Sequence, residues 1–253
     1  MLRTRVIPVL LLQEAGLVKT VKFKNPEYIG DPINAVRIFN EKEVDELIFL
    51  DINASKEHRD PPYDLINRLA TECFMPLCYG GGIRDIDTIR NILKSGVEKV
   101  AINSFALENP EFIQEAASVF GSSTIVVSID VKKNLLGQYR LHSSTGNMNV
   151  KNDVAAFAGQ MEALGAGELL LNSVDNDGTM QGYDIKLIKQ ITSQVNIPVI
   201  ACGGAGKIGD FVQASHEGGA SAVAAGSTFV FHGKHKAVLI TYPAQKELRK
   251  VGL

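Results

Sequence analysis

Short apolar runs alternate with amphipathic segments along the whole chain. Eight runs of five to eight residues are almost entirely apolar, a pattern typical of strands buried on both faces of a parallel sheet. They span residues 5–11, 46–52, 75–79, 98–102, 123–130, 167–174, 197–202 and 221–226. Several intervening segments begin at Asp, Asn or Pro and end at Gly, as capped helices do. Eight such units in 253 residues predict a single (β/α)8 TIM barrel, with a doubly wound open sheet as the alternative.

An internal repeat favours the barrel over the open sheet. A shift of 122 residues places the segment 46–83 on 168–205, and one extra residue extends the match to the next strand. The matched pairs are Glu46 with Glu168, Pro76 with Pro198, Gly81 with Gly203, Gly82 with Gly204, Ala101 with Ala224 and Ser104 with Ser227. An open sheet has no reason to repeat itself. We therefore predict one domain over residues 1–253, built from two fused half-barrels of about 1–120 and 121–253.

Glycine-rich segments follow two of the matched strands. In YGGGIRD and ACGGAGK, glycines let the backbone approach a ligand and direct its N–H groups at an anion beside the next helix. The segments INS and AGS, at the ends of the strands that follow, add further donors. The simpler interpretation is that these glycines only relieve tight turns. Two copies at matched positions favour two anion sites, so the predicted ligand is a long small molecule phosphorylated at both ends.

The composition excludes several other classes of protein. The net charge of -2 argues against a nucleic acid or a membrane surface as partner, and no apolar run approaches the ~20 residues that cross a bilayer. We therefore expect a cytoplasmic protein. The three cysteines form no C-x-x-C pair and lie in apolar surroundings, which predicts core thiols rather than a disulfide or a zinc site. We predict no metal and no other cofactor.

Several long motifs resemble one known family. GGGIRD, EKVAINS, VVSID, GAGELLLNSVDNDGTMQGYD and IPVIACGGAGK are similar to segments of the cyclase subunit of imidazole glycerol phosphate synthase, the HisF family, over essentially the whole chain. The resemblance implies a two-fold-repeat TIM barrel that receives ammonia from a glutaminase partner docked on its N-terminal (bottom) face. It also implies phosphate contacts from Gly82, Asn103 and Ser104 in one half, and from Asp177, Gly178, Gly204, Gly226 and Ser227 in the other.

A long basic segment, QEAGLVKTVKFKNPEYIGD, follows the first predicted strand. In the family the corresponding loop closes over the substrate, so the resemblance implies that Lys19 contacts a phosphate. A lysine-rich loop is otherwise most often only solvated, and that alternative remains open for this segment.

The resemblance fails at one catalytic position. In the family, two aspartates at the ends of the first and fifth strands carry out the acid–base chemistry of ring closure. Asp130 ends the fifth strand here, but Leu11 stands at the end of the first, and a leucine cannot transfer a proton. Glu14 follows closely enough to act as a substitute from the loop. For Asp130 alone, catalysis and a structural role at the next turn are equally open. The family's threonine and serine in the centre of the pocket are Asn172 and Cys202 here.

Four charged residues are predicted to surround the bottom mouth of the barrel. Arg5, Glu46, Lys99 and Glu168 stand at the N-terminal ends of the first, second, fourth and sixth strands. Two cations and two anions there can neutralise one another, which makes their burial tolerable. The resemblance implies that they form the gate of an ammonia channel. The alternative is an ion-pair plug that only stabilises the bottom of the barrel.

A complete gate beside a missing acid predicts a subunit that accepts and forwards ammonia. The family contains paralogues that also lack the first aspartate and pair with a glutaminase homologue. They serve a separate amidotransferase that converts the acetamido group of a nucleotide sugar to acetamidino in bacterial surface polysaccharide. Two alternatives are an active cyclase subunit of histidine biosynthesis and a non-catalytic scaffold that activates the glutaminase.

Overall fold

The computed structural model describes residues 3–233 and 235–253. Its strands are Arg5–Gln13 (β1), Gly16–Val21 (β2), Lys24–Gly30 (β3), Leu47–Asp51 (β4), Leu77–Gly80 (β5), Lys99–Ile102 (β6), Ile125–Lys133 (β7), Tyr139–Leu141 (β8), Glu168–Ser173 (β9), Val199–Cys202 (β10), Ala222–Ala225 (β11), Phe231–His232 (β12) and Ala237–Val238 (β13). Its helices are Pro32–Glu41 (α1), Tyr63–Glu72 (α2), Ile86–Lys94 (α3), Ser104–Glu108 (α4), Glu111–Phe120 (α5), Val154–Ala163 (α6), Ile185–Thr192 (α7), Ile208–His216 (α8), Ser227–Val230 (α9) and Gln245–Lys250 (α10).

Eight parallel strands close into a barrel. Their order is β1, β4, β5, β6, β7, β9, β10 and β11, and β11 pairs again with β1 through Arg5 opposite Ala222 and Ile7 opposite Ala224. Helices connect each barrel strand to the next. The predicted TIM barrel is confirmed, and the open-sheet alternative is wrong because the pairing of β11 with β1 closes the sheet.

Side chains of the barrel strands alternate between two apolar cores, because successive residues of a strand point to opposite faces. Outward side chains such as Leu10 and Leu12 pack against the helices and are fully buried. Inward side chains form a smaller cluster inside the barrel: Ile7, Val9, Ile48, Cys78, Ala101, Val126, Leu170, Ile200, Ala222 and Ala224. Burial on both faces explains why the sequence shows continuous apolar runs instead of alternating ones.

Two antiparallel hairpins extend from the barrel. The basic segment that was predicted as a loop forms β2 and β3, with Leu11 paired to Val18 and Val18 to Tyr28. This prediction was wrong because the alternation in VKTVKFK is a strand pattern, whereas its lysines had suggested a solvated loop. A second hairpin, β7 and β8, prolongs the fifth barrel strand. Both hairpins start at C-terminal strand ends and therefore rise on the top side of the barrel.

Aspartates fix the start of several helices on that same side. Asp31, Asp85, Asp153 and Asp184 are the N-caps of α1, α3, α6 and α7, and each side chain accepts a hydrogen bond from a backbone N–H of the first turn. Such caps are worth about 1 kcal/mol each. Within the described part of the chain, no helix has the length and apolar character needed to cross a bilayer.

Candidate functional site

A cleft opens at the C-terminal ends of the barrel strands. It encloses about 1250 Å³, including space open to solvent. Leu11 and Asp130 line it together with the nine residues for which phosphate contact was predicted: Lys19, Gly82, Asn103, Ser104, Asp177, Gly178, Gly204, Gly226 and Ser227. Residues from both halves of the chain therefore share one cavity, although Leu11 and Ser227, for example, lie 216 positions apart in the sequence.

Asp130 lies on the floor of this cleft. Its side chain points inward from β7, level with Asn172 on β9. The Asn103 amide donates a hydrogen bond of 3.0 Å to Asp130 Oδ2 and another of 3.0 Å to the Ser128 carbonyl. Loss of water and the nearby charge of Asp177 raise the Asp130 pKa to about 7, although the amides of Asn172 and Asn103 oppose the shift. The carboxyl can therefore exchange a proton near neutral pH.

Leu11 takes the matching inward position on β1, beside Leu50 of β4. Leu10 and Leu12 point away from the cleft into the outer core. Glu14, the substitute acid considered from the sequence, lies in the exposed turn between β1 and β2 and is not part of the cleft lining. The end of the first barrel strand thus presents a hydrocarbon to the cleft, where an acid would be needed for proton transfer.

Two other carboxylates line the cleft, and each already interacts with neighbouring residues. Asp51, at the end of β4, accepts hydrogen bonds from the N–H groups of Asn53 and Ala54 at 3.1 and 3.0 Å and from Arg59 at 3.1 Å. Burial raises the pKa of Asp177, while the neighbouring Lys19 lowers it. Neither carboxylate occupies the inward position at the end of β1.

The first glycine segment follows β5 and forms a cradle at one side of the cleft. Gly82 has a φ of +73°, and a Cβ there would lie 2.7 Å from the carbonyl oxygen of Arg59. Its N–H points to Ser55 Oγ at 3.3 Å. Ser104 begins the short helix α4, whose first N–H groups have no partner within the helix, and its Oγ is 3.5 Å from Ser144 Oγ. Donors from three chain segments therefore face one side of the cleft.

The second glycine segment, after β10, forms the matching cradle. Gly204 has a φ of +115°, and a Cβ there would approach the Gly182 carbonyl oxygen closely enough to clash. Ser227 begins α9, just as Ser104 begins α4. The two cradles stand at the positions that the internal repeat matched in the sequence. The origin of the barrel from two fused halves stays a prediction.

Lys19 reaches the cleft from a strand and not from a loop. It is 5% exposed on β2, and its ammonium group lies so close to Gly226 that any side chain there would collide with it. Burial lowers the Lys19 pKa, against the raising effect of Asp177 and Cys202. The hairpin is fastened beside it, since Thr20 Oγ1 donates to Asp177 Oδ2 at 3.2 Å and the Lys22 N–H to the Asp177 carbonyl at 3.0 Å.

Several cleft residues were not predicted from the sequence. Asp51, Ser55, Lys56, Phe23 and Ser144 all line the cavity. The acid that ends LIFLD on β4 is the same signal as the acid that ends VVSID, so Asp51 could have been found. The other four lie in loops or turns that carry no motif.

At the opposite end of the barrel, four side chains form a charge ring. Arg5 contacts Glu46 and donates to Glu168 at 3.0 Å, while Lys99 Nζ lies 3.1 Å from Glu46 and 3.2 Å from Glu168. Each cation therefore contacts both anions. Burial disfavours the charged form of Arg5, but Glu168 and Glu46 outweigh it and raise the Arg5 pKa.

The charge ring is enclosed more deeply on its acidic side. The side chains of Glu46 and Glu168 are 2% and 13% exposed, while those of Lys99 and Arg5 are 18% and 27% exposed. Formal charges cancel across the ring, as buried ions require. Glu168 Oε2 accepts no hydrogen bond among the described residues, so one acceptor at the mouth is left over.

The cleft and its surroundings offer little for a metal ion. Among residues 3–233 and 235–253, no three His, Cys, Asp or Glu side chains converge as a metal site would require. The Cys202 thiol lines the cleft, but burial raises its pKa to about 12, so it is neutral there.

Comparison with known proteins identifies the family. A family model described as histidine biosynthesis protein matches residues 5–236. A Pseudomonas aeruginosa protein provisionally named imidazole glycerol phosphate synthase subunit hisF2 is 53% identical over 248 residues, 98% of this chain and 99% of that protein. A Leptospira borgpetersenii protein, provisionally named subunit HisF of the same synthase, is 54% identical over 244 residues, 96% of both chains. Imidazole glycerol phosphate synthase subunit HisF of Alkaliphilus metalliredigens is 42% identical over 232 residues, 92% of both chains. The chain belongs to the HisF family.

Proposed function

We propose that this chain is a HisF-like subunit that receives ammonia at the charge ring and passes it through the barrel to a separate amidotransferase. The observation that carries the proposal is the contrast between Leu11 and the ring. Leu11 removes one member of the acid–base pair that ring closure needs. The ring keeps all four of its charges and their mutual contacts.

The relatives' names support a partner subunit. Each is named as a subunit of imidazole glycerol phosphate synthase, so a chain of this family works within a complex. The family resemblance puts a glutaminase of HisH type on the N-terminal face, which is the face where the charge ring lies. Ammonia released by that partner would meet Arg5, Lys99 and the two glutamates first.

The barrel interior above the ring suits neutral ammonia. Its lining is apolar, with small side chains at Ala101, Ala222 and Ala224 and a thiol at Cys78. Burial raises the Cys78 pKa, so the thiol stays neutral. An ammonium ion would lose its hydration in such a lining at a large cost, whereas NH3 carries no net charge. The interior therefore favours the neutral form.

The acceptor we propose is a nucleotide sugar held by the amidotransferase, whose acetamido group becomes acetamidino during bacterial surface polysaccharide synthesis. The family resemblance supports this assignment. The two glycine cradles would bind the phosphates of a small-molecule ligand in the cleft. All of these steps are cytoplasmic in the proposal.

The decisive experiment is a turnover assay with the purified chain, the bis-phosphorylated ribosyl substrate of the cyclase and ammonium salt. We expect no imidazole glycerol phosphate above background, because losing a positioned acid or base commonly costs on the order of 10² to 10⁴-fold. Product formation that Asp130→Asn abolishes would overturn the proposal and establish the cyclase.

One observation favours that second candidate. Asp130 has a pKa of about 7, which suits a group that gives or takes a proton at neutral pH. A cyclase would need a second proton-transfer group from elsewhere in the cleft, and Asp177 is the nearest acidic influence on Asp130. Asp177→Asn in the same assay tests this route: an active wild type that the substitution inactivates would identify Asp177 as that group.

A further inference from the structure

Two leucines stand fully exposed at the tip of the β7–β8 hairpin. The exposed fractions of Leu135 and Leu136 are 106% and 82%, and Gly137 and Gln138 beside them are exposed as well. Large apolar side chains that are adjacent and solvated on a rigid element mark contact sites for other proteins. The chain itself leaves this pair uncovered.

The hairpin that carries the leucines is braced. The Asn134 side chain accepts hydrogen bonds from the N–H groups of Leu136 and Gln138 at 2.9 and 3.0 Å, which fixes the turn. Asp184, the N-cap of α7, pairs with Lys133 at 2.7 Å and accepts from the Tyr139 hydroxyl at 2.7 Å. The leucines are thus presented in a defined position, so a partner would not need to order them on binding.

The hairpin belongs to the rim of the cleft. Its first strand is the one that carries Asp130, and Leu135 follows five residues later, roughly 16 Å further along an extended chain. His142, just after β8, packs against Phe23 of the other hairpin with 6.0 Å between ring centroids. A protein seated on Leu135 and Leu136 would therefore lie on the top side of the barrel, where the cleft opens.

The charged residues nearest to the leucines along the sequence, Lys132, Lys133 and Arg140, are basic. Lys132 on β7 and Lys22 and Lys24 on the neighbouring hairpin are all exposed, although the chain as a whole has a net charge of -2. A partner that fits this rim would offer an apolar pocket for the leucines with acidic residues around it.

From this apolar tip on the basic rim, we infer that the rim is the docking surface of the amidotransferase that takes up the ammonia. The inference rests on the proposed function, because a conduit that ended in open solvent would lose ammonia to protonation and dilution. The acceptor must therefore cover the cleft mouth, and Leu135 and Leu136 supply the apolar anchor for it there.

The test uses the complete complex of glutaminase, this chain and the amidotransferase of the proposed function. The double variant Leu135→Ser with Leu136→Ser should weaken binding of the purified amidotransferase at least tenfold, about 1.4 kcal/mol. Glutamine-dependent product should fall, and product from added ammonium should not. Leu239→Ser, at an exposed leucine that follows β13 and lies outside the β2–β3 and β7–β8 hairpins, is the matched control and should leave the affinity unchanged. Lys132→Glu should also weaken binding, and high salt should reduce the difference in affinity between this variant and the wild type.

The outcomes separate this surface from the proposed function. Unchanged amidotransferase affinity in the double variant, or no binding by the wild type, overturns the docking surface. A shift in the oligomeric state of this chain, measured by light scattering, also overturns it, because the leucines would then cover a second copy. A wild-type complex that binds the amidotransferase but forms no product from glutamine refutes the proposed function and leaves the surface standing.

Discussion

The two ends of the barrel interior bury ionisable groups in opposite ways. At the bottom, Glu46 is almost fully buried, yet both Arg5 and Lys99 contact it. At the top, Asp130 has the amides of Asn103 and Asn172 as partners and forms no ion pair within the described part of the chain, and burial raises its pKa to about 7. Burial is equally costly at both ends, but only the bottom compensates it with opposite charge.

This difference indicates which end of the barrel can exchange protons and which keeps a fixed arrangement of charges. In the charge ring each cation contacts both anions, so the four charges neutralise one another in a fixed arrangement. An acid without a cation partner changes its charge near neutral pH, so Asp130 is the group whose state depends on conditions. The proposed ammonia path needs a constant mouth, which four mutually paired charges would provide. Proton transfer in a ring closure would need a second acid beside Asp130, and Leu11 does not provide it.

The largest effect is expected from a variant that restores the second acid in the cleft, because it would remove the chemical difference between the two ends of the barrel. Leu11→Asp should raise formation of imidazole glycerol phosphate from the cyclase substrate and ammonium by on the order of 10²-fold, because it restores a carboxylate facing Asp130 on a rigid strand. The measurement is product formation under single-turnover conditions. Leu11→Asn is the control, since asparagine has nearly the same shape as aspartate but cannot transfer a proton at neutral pH. Equal gains in both variants would show that the missing acid is not what limits the cleft.

The second way is to unbalance the charge ring. Lys99→Ala leaves Glu46 and Glu168 with Arg5 alone, a loss that costs about 3 kcal/mol when the remaining charge is buried. Glutamine-dependent product in the complete complex should fall at least tenfold, while glutaminase binding and glutamine hydrolysis stay close to wild type. Added ammonium should restore product, because it reaches the acceptor without passing the ring.

Lys94→Ala is the matched control for the ring, since Lys94 is an exposed lysine on α3. It should change none of these rates. If Lys99→Ala also leaves glutamine-dependent product at the wild-type level, the ring is an ion-pair plug, and the barrel is a scaffold for the glutaminase.

The bottom end of the barrel could be predicted from the sequence better than the top. Ring residues sit at strand starts, and eight apolar runs fix where strands start, so the position of Arg5 or Lys99 follows from topology alone. The top depends on contacts between distant segments. A hydrogen bond between Thr20 and Asp177, which are 157 residues apart, attaches the β2–β3 hairpin to the cleft. No local sequence pattern predicts such a contact.

The same limit applies to side-chain direction. Asn103 lines the cleft, and its amide group donates to Asp130 and to the Ser128 carbonyl, while its contact with a phosphate stays a prediction. Lys19 was expected in a mobile loop, but the strand pairing of β2 buries it against Gly226. Residue types and strand ends predicted that these residues share a cleft. Their partners within it are set by packing that the sequence does not display.

A third prediction concerns the pH dependence of stability at the top end. The unfolded chain releases the Asp130 proton near pH 4 and the folded protein near pH 7, so between about pH 4 and 7 the folded state holds the extra proton. Stability from this group therefore falls as pH rises through that window. Asp130→Asn removes the penalty, so the variant should gain on the order of 2 kcal/mol relative to wild type between pH 5 and pH 8.

Urea unfolding of both proteins at the two pH values measures this gain, with Glu115→Gln, an exposed acid on α5, as control. A constant difference between wild type and Asp130→Asn would mean that Asp130 is ionised throughout, and the contrast between the two ends would be lost.

The smallest expected effect is the binding of inorganic phosphate, which should distinguish the two ends of the barrel. Inorganic phosphate should bind at the top end only, one ion over Gly82 and Ser104 and a second over Gly204 and Ser227, because both cradles combine a glycine turn with the start of a short helix. At ten times the dissociation constant each ion would stabilise the fold by about 1.4 kcal/mol.

Hydrogen exchange should slow in the loops after β5 and β10, while amides at the charge ring, whose own carboxylates repel an anion, should exchange as before. Gly204→Ala should abolish the second ion and spare the first, because its Cβ would clash with the Gly182 carbonyl. A phosphate-soaked crystal with both loops ordered, open to solvent and without either ion would rule out a bis-phosphate pocket while leaving the conduit below it intact.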